Sequence, residues 1–179
     1  TAVKSGRALY AGLSNYDSAT AREASAILKE LHCPFVINQV RYSIFDRHIE
    51  PDKLDKTAEE NGFGIICFSP LAQGLLTDRY LGGIPADSRI GKGGPFLKRE
   101  QLTPEKLEQI RALNEVARSR GQSLSELALS WVLRSSQVTS VLIGASSPEQ
   151  IVQNLGILHA PAFTTEELAR IDAITGAAN

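Results

Sequence analysis

Short apolar segments alternate with longer segments of helical periodicity, and this alternation limits the possible folds more than any other feature of the chain. The apolar segments ALYAGLS, PFVINQV, GIICFSP and VTSVLIG occupy residues 8–14, 34–40, 64–70 and 138–144. Strands that are apolar on both faces are typical of a parallel sheet. Because the helices between such strands cover the sheet, the pattern predicts an α/β fold.

Residues that commonly begin or end helices flank most of the predicted helices. Asp17 and Ser18 precede the first helix, Pro51 suits the first turn of the second, and Gly62 suits its end. Further helices are predicted for residues 103–121 and 123–136, which open on caps at Thr103 and Ser123, and for residues 147–158 and 164–176, at whose starts Ser or Thr stands. The Gly- and Pro-rich segment 70–101 is predicted to be a long loop, and loops of this length are usually functional or mobile.

Composition excludes several classes of partner. The chain carries 19 Lys and Arg against 20 Asp and Glu, without a long basic run, so neither a nucleic acid nor a membrane surface is expected as a partner. No apolar stretch approaches the roughly 18 residues of a membrane span. Cys33 and Cys67 are expected to be buried thiols in a reducing, cytoplasmic protein. His32, His48 and Cys33 lack the spacing of metal ligands, so no metal is expected.

Two architectures fit four strands that recur roughly every 30 residues. One is a small doubly wound sheet and the other is half of a (β/α)8 barrel, and periodicity alone does not separate them. The sequence contains no G-x-G-x-x-G, which counts against a Rossmann sheet.

In either architecture, ligands bind at the carboxyl ends of the strands. Ser14, Asn15 and Gln39 lie there and could bind a carboxamide, while Phe68 could stack on a flat ring and the Gly144–Ser147 turn could present N–H groups to a phosphate. A dinucleotide needs all three. Simpler explanations remain open, because Ser14 and Asn15 suit a turn, Phe68 suits a core and the 146–149 segment suits a helix start.

Five motifs in a fixed order resemble the C-terminal half of an aldo-keto reductase. They are GRALYAGLSNY, the Q-x-x-Y of INQVRYS, FSPLAQGLLTDRYLGGIPADSR, ALSWVL and SVLIGASSPEQIVQN. The resemblance is strongest to the group that holds the bacterial L-glyceraldehyde 3-phosphate reductases and the potassium-channel β-subunits. It implies that residues 1–179 form a single partial domain, about strands 5–8 of a (β/α)8 TIM barrel that binds NADP(H) without a Rossmann fold.

The resemblance assigns a cofactor role to residues that match the family's motifs. Ser14, Asn15 and Gln39 would hold the nicotinamide carboxamide, and Phe68 would stack on the nicotinamide ring. The remaining assignments cover the pyrophosphate loop, the basic residues of the covering loop 70–101, and the adenosine and 2′-phosphate pocket: Ser69, Pro70, Leu71, Ala72 and Gly74; Arg79 and Arg89; Gly144, Ser146, Gln150, Gln153 and Asn154.

The resemblance also implies what the chain lacks. The family's catalytic Asp, Tyr, Lys and His lie on strands before the one corresponding to ALYAGLS, so no catalytic residue is assigned. The expected function is NADP(H)-dependent reduction of small aldehydes or ketones, including phosphorylated trioses, once the N-terminal half of the barrel is added. The alternatives are an NADP-sensing regulatory module and an inactive structural fragment. Open strand edges would favour a homo-oligomer.

Overall fold

The computed structural model describes residues 1–86, 88, 90–91, 93 and 97–177, and within them it contains four strands and six α-helices. The strands are β1 (Ala11–Ser14), β2 (Phe35–Arg41), β3 (Gly64–Phe68) and β4 (Val138–Leu142). The helices are α1 (Ser18–Glu30), α2 (Leu54–Asn61), α3 (Pro104–Ser119), α4 (Leu124–Val132), α5 (Pro148–Asn154) and α6 (Thr165–Thr175). The predicted α/β class is confirmed.

All four strands are parallel and lie side by side in chain order, β1-β2-β3-β4. Gln39 of β2 pairs in register with Ser14 of β1 and Ile66 of β3. Two residues further along, Phe68 pairs with Arg41 and with Leu142. The carboxyl ends of the strands therefore meet at one edge of the sheet.

The two faces of the sheet differ in burial. Alternate residues of the central strands are almost fully buried beneath the helices: Asn38, Val40, Ile65 and Cys67. The residues between them form the opposite face, which remains partly or fully exposed: Gln39, Arg41, Ile66 and Phe68. We call this second surface the open face. Parallel sheets are normally covered on both faces, so a sheet covered on one face is what half of a barrel would present.

The core lies between the covered face and the helices. Leu113 of α3, with Leu127 and Trp131 of α4, are each 0% exposed. Burial raises the pKa of the Cys67 thiol to about 12, so this cysteine is the inert buried thiol that the sequence predicted. Cys33 is only half-buried.

Most helix boundaries follow the predicted caps. The Asp17 side chain accepts a hydrogen bond from the Thr20 N–H at 2.8 Å, and Ser123 forms a capping box with Glu126. Gly62 ends α2 in the left-handed conformation, at φ 73°. The role predicted for Pro51 is wrong, because α2 begins at Leu54 after Lys53, whose left-handed backbone at φ 57° interrupts the helix.

A polar network ties the segment after β2 to Arg134, which follows α4, and to α6. Glu50 accepts hydrogen bonds from Tyr42 Oη at 2.5 Å, Arg47 Nε at 2.7 Å and Arg134 Nη2 at 2.9 Å. Arg47 also donates to Asp172 of α6 at 2.5 Å. Burial alone raises the pKa of Glu50, but these donors outweigh it and hold the pKa below its ordinary value.

Replacing Glu50 with Gln is expected to lower the free energy of unfolding by about 1–3 kcal/mol at pH 7, because the cations around it lose their counter-charge. A carboxyl whose pKa is lowered in the folded state stabilises above its unfolded pKa and loses that contribution as the pH falls through the folded value. The difference between wild type and Glu50→Gln should therefore shrink below about pH 4. Urea unfolding at pH 7 and pH 3 measures both quantities.

Glu115→Gln is the matched control, because Glu115 forms an exposed ion pair with Arg118 on α3 at 3.2 Å. Exposed pairs of this kind contribute less than about 1 kcal/mol. An equal loss of stability in the two variants, or a Glu50→Gln effect that does not change with pH, would contradict the role given to the network.

Candidate functional site

Ser14, Asn15 and Gln39 lie together where β1 and β2 end. Ser14 and Gln39 are register partners, and the Asn15 N–H donates to the Gln39 carbonyl oxygen at 2.8 Å. Asn15 has a left-handed backbone at φ 59°, which Asn adopts more readily than most residues. Its side-chain Nδ2 lies 3.4 Å from Ser14 Oγ. The edge thus carries two amides and a hydroxyl, the donor and acceptor set that a carboxamide requires.

Phe68 ends β3 on the open face. It is half-buried, and it pairs in register with Arg41 on one side and Leu142 on the other. The alternation of the strands places it on the same face as Gln39, one strand away. Its ring can therefore offer an apolar surface beside the amide groups, as stacking on a planar ring would require.

The loop after β3 turns sharply through Ser69, Ala72, Gln73 and Gly74. All four have positive φ angles, at 54°, 47°, 61° and 101° respectively. Gln73 Nε2 donates to Ser69 Oγ at 2.9 Å, which closes the loop across the turn, and residues Ala72–Gly74 form a short 3-10 helix. Pro70 is buried and Leu71 is half-buried beneath it. Non-glycine residues with positive φ are uncommon and concentrate at functional sites.

The covering loop is more ordered than its composition predicted. Within residues 70–101, short 3-10 helices occupy Ala72–Gly74, Asp78–Tyr80 and Arg99–Gln101. Tyr80 is 1% exposed and anchors the second of them in the core, which leaves Arg79 exposed on its surface. The predicted basic residue Arg89 lies outside the described residues.

The turn between β4 and α5 brings two predicted residues together. Gln150 Oε1 accepts a hydrogen bond from the Ser146 N–H at 2.9 Å and lies 3.3 Å from its Oγ. Ser147 is the N-cap residue, yet its side chain makes no capping hydrogen bond. Gly144 and Gln153 are exposed, whereas Asn154 is 6% exposed at the end of α5. The Gln150 side chain thus accepts the hydrogen bond that the Ser146 N–H could otherwise donate to an anion.

The structure assigns roles to two arginines near the site that the sequence does not reveal. The sequence allows Arg47 to be either a solvated side chain or one that faces an anionic substrate, but it forms ion pairs with Glu50 and Asp172, and only 16% of its side chain is exposed. Sequence reasoning missed Arg41, which reaches the same edge. The signal was its position, because a residue two places after Gln39 in a strand shares its face.

We find neither a candidate metal site nor a membrane-spanning helix in the described part of the chain. No group of three His, Cys, Asp or Glu side chains among those residues could hold a metal ion. None of the described helices combines the length and the apolar character needed to cross a membrane. A surface cavity of about 390 Å³ lies against α3, lined by Leu81, Glu108 and Arg111, away from the strand ends.

Comparison with known proteins relates the chain to one family and one fold. Residues 1–175 match the aldo/keto reductase family. The chain is 45% identical over 174 residues to the L-glyceraldehyde 3-phosphate reductases of Escherichia coli K12 and Escherichia coli O157:H7, covering 96% of this chain and 50% of each relative. The crystal structure of the thermostable aldo-keto reductase Tm1743 with the inhibitor epalrestat superposes with a TM-score of 0.70 at 25% identity, over 97% of this chain and 51% of that one. The chain spans about half the length of these relatives.

Gly74→Ala is expected to destabilise the protein by about 1–3 kcal/mol, because φ 101° is a backbone conformation that residues with a Cβ rarely adopt. The nearest atom to the added methyl would be 3.9 Å away on Tyr80, so the effect reports backbone strain rather than a clash. Thermal unfolding followed by circular dichroism measures it. Gly82→Ala is the control, because Gly82 lies in open space and its φ is outside the positive range. Equal stability of the two variants would contradict the inference that the backbone at Gly74 is strained once a Cβ is present.

Proposed function

The chain belongs to the aldo/keto reductase family, and from this premise we propose that it forms the cofactor-binding part of an NADP(H)-dependent oxidoreductase that reduces aldehydes and ketones to alcohols. The observation that carries the proposal is the shared edge of the sheet. There Ser14, Asn15 and Gln39 present hydrogen-bonding groups, and Phe68 presents its ring on the same open face. This donor set fits a nicotinamide ring with its carboxamide.

The residues at this edge would contact different parts of the nicotinamide. Gln39 with Ser14 and Asn15 would fix the carboxamide and so decide which face of the nicotinamide ring is presented. Phe68 would cover the opposite face and exclude water from it. When bound, NADPH supplies the hydride that reduces the carbonyl. Fixing the ring within reach of a carbonyl removes much of the entropic cost of the reaction.

The loop after β3 and the turn between β4 and α5 would hold the rest of the cofactor. The turn through Ser69 and Gly74 would hold the pyrophosphate, with the Ser69 hydroxyl as a donor, since the N–H groups of Ala72 and Gly74 already donate to the carbonyl oxygens of Ser69 and Leu71 at 2.9 and 2.8 Å. Ser146 and Gln150 would bind the 2′-phosphate, with the Gln150 side chain turning from the Ser146 N–H to the ligand. Neither position carries a positive charge, so backbone and side-chain dipoles would supply the binding there.

The proton donor would come from outside these residues. Reduction of a carbonyl needs an acid at the carbonyl oxygen, and Tyr42, which carries a candidate hydroxyl, is buried against Glu50 and Arg134. Burial raises the pKa of Tyr42 well above its ordinary value, although the charge of Arg134 opposes the shift. We therefore propose that the catalytic groups belong to another part of the barrel, which would also cover the open face.

The substrate proposed is a small aldehyde, including a phosphorylated triose. This follows the two Escherichia coli relatives, whose names give L-glyceraldehyde 3-phosphate as their substrate. The test is NADPH-dependent reduction of small aldehydes by the full-length product of the gene, followed at the absorbance of NADPH, together with NADPH binding followed by fluorescence. Failure to bind NADPH would overturn the proposal.

Ser146→Asp in that product should weaken NADPH binding by about tenfold or more and NADH binding much less, because the new carboxylate would face the 2′-phosphate that only NADPH carries. Fluorescence titration with each cofactor measures the two dissociation constants. Ser5→Asp adds the same charge at an exposed position near the start of the chain and should change neither. An equal loss for both cofactors would mean that Ser146 only helps to begin α5.

A further inference from the structure

We propose that Arg41 binds a negatively charged group on the carbonyl substrate, so that the site prefers aldehydes that carry a phosphate or a carboxylate. The inference rests on the proposed function and deepens it by naming a residue that selects the substrate. Arg41 differs from the neighbouring arginines in its place in the sheet, in the way its side chain is held and in its carboxylate partner, which is Asp46 rather than Glu50.

Arg41 lies beside the positions proposed for the nicotinamide. It is the last residue of β2, two places after Gln39, and it pairs in register with Phe68. The alternation of the strand places all three on the open face. Its side chain is 60% exposed in this chain and lies at the carboxyl end of the sheet, the edge where the substrate carbonyl would meet the nicotinamide.

Asp46 holds the Arg41 side chain through a single nitrogen, Nε. Arg41 Nε lies 2.5 Å from Asp46 Oδ2, and the other carboxylate oxygen of Asp46 lies 2.7 Å from His48 Nδ1. The backbone of Asp46 is fixed in turn, because it exchanges hydrogen bonds of 3.0 and 3.1 Å with Ser43. A guanidinium held through Nε keeps its two Nη groups as a planar fork, the geometry that binds a phosphate or carboxylate in bidentate fashion.

The neighbouring arginines are engaged in the fold. Arg47 pairs with Glu50 and Asp172, and Arg134 donates to Glu50 while lying 3.6 Å from the centre of the Trp131 ring. Neither side chain exposes more than 23% of its surface. Arg41 differs from both because it combines a position on the open face with a single carboxylate partner among the described residues.

The test compares glyceraldehyde 3-phosphate with glyceraldehyde, two aldehydes that differ only in the phosphate. In the full-length product at saturating NADPH, Arg41→Met should raise KM for the phosphorylated aldehyde by about tenfold to a hundredfold, the usual effect of losing a charge-assisted hydrogen-bonded pair. KM for glyceraldehyde and the dissociation constant of NADPH should stay within about twofold. Arg41→Lys keeps the charge but loses the planar fork of two Nη groups. Its KM for the phosphorylated aldehyde should therefore lie between those of the wild type and of Arg41→Met.

Two further variants separate this role from general effects. Arg118→Met removes an arginine of similar exposure that also pairs with one carboxylate, Glu115, and should change neither KM. Asp46→Asn leaves Arg41 charged but releases its Nε, so it should raise KM for glyceraldehyde 3-phosphate by a smaller factor than Arg41→Met, with kcat unchanged. Asp46 is thus a positioning residue.

Each contrary result has a distinct meaning. An equal rise in KM for both aldehydes would overturn the inference, because it would show a general effect on the site. A weaker NADPH affinity in Arg41→Met with no selective change in KM would also overturn it and would assign Arg41 to the cofactor's pyrophosphate. A wild-type protein that fails to bind NADPH would overturn the proposed function itself, and the two failures are therefore distinguishable.

Discussion

The rest of the structure depends on one constraint: four parallel strands lie in chain order, so all their carboxyl ends meet at the same edge. Residues that are far apart in sequence, such as Ser14, Gln39 and Phe68, become neighbours there through strand register alone. The helices cover one face of this sheet and leave the other open. A ligand that reaches the edge from the open face meets backbone and side chains from every strand, which is how α/β proteins usually place their sites.

The arginines show how the fold separates structural charge from accessible charge. Arg47 and Arg134 converge on Glu50 and rest against Trp131, so their charges are neutralised where burial would otherwise be costly. Arg41 has a single carboxylate partner at the exposed edge. The difference arises from strand alternation, since Tyr42 of the network points beneath the helices while its neighbour Arg41 points to the open face.

Local sequence signals predicted the elements well. The four apolar segments became β1 to β4, and Asp17, Ser123, Gly62 and Thr164 begin or end helices as expected, because capping depends on atoms within one turn. Local signals failed at Pro51, where a left-handed residue delays α2, and at Arg47, whose partner Asp172 is 125 residues away. No local pattern reveals a partner at that distance. The roles of the site residues toward NADP(H) stay predictions.

The sequence by itself determined the fold class and the family, because the order of strands, helices and motifs is carried by local periodicity and by residues in fixed succession. It also placed the candidate residues at strand ends. Only the tertiary structure decided which of them share a face, which amide oxygen accepts a hydrogen bond from the Ser146 N–H, and which arginine at the edge has a single carboxylate partner. Those properties depend on register and on contacts between distant segments, and neither exists until the sheet and its helices have packed together.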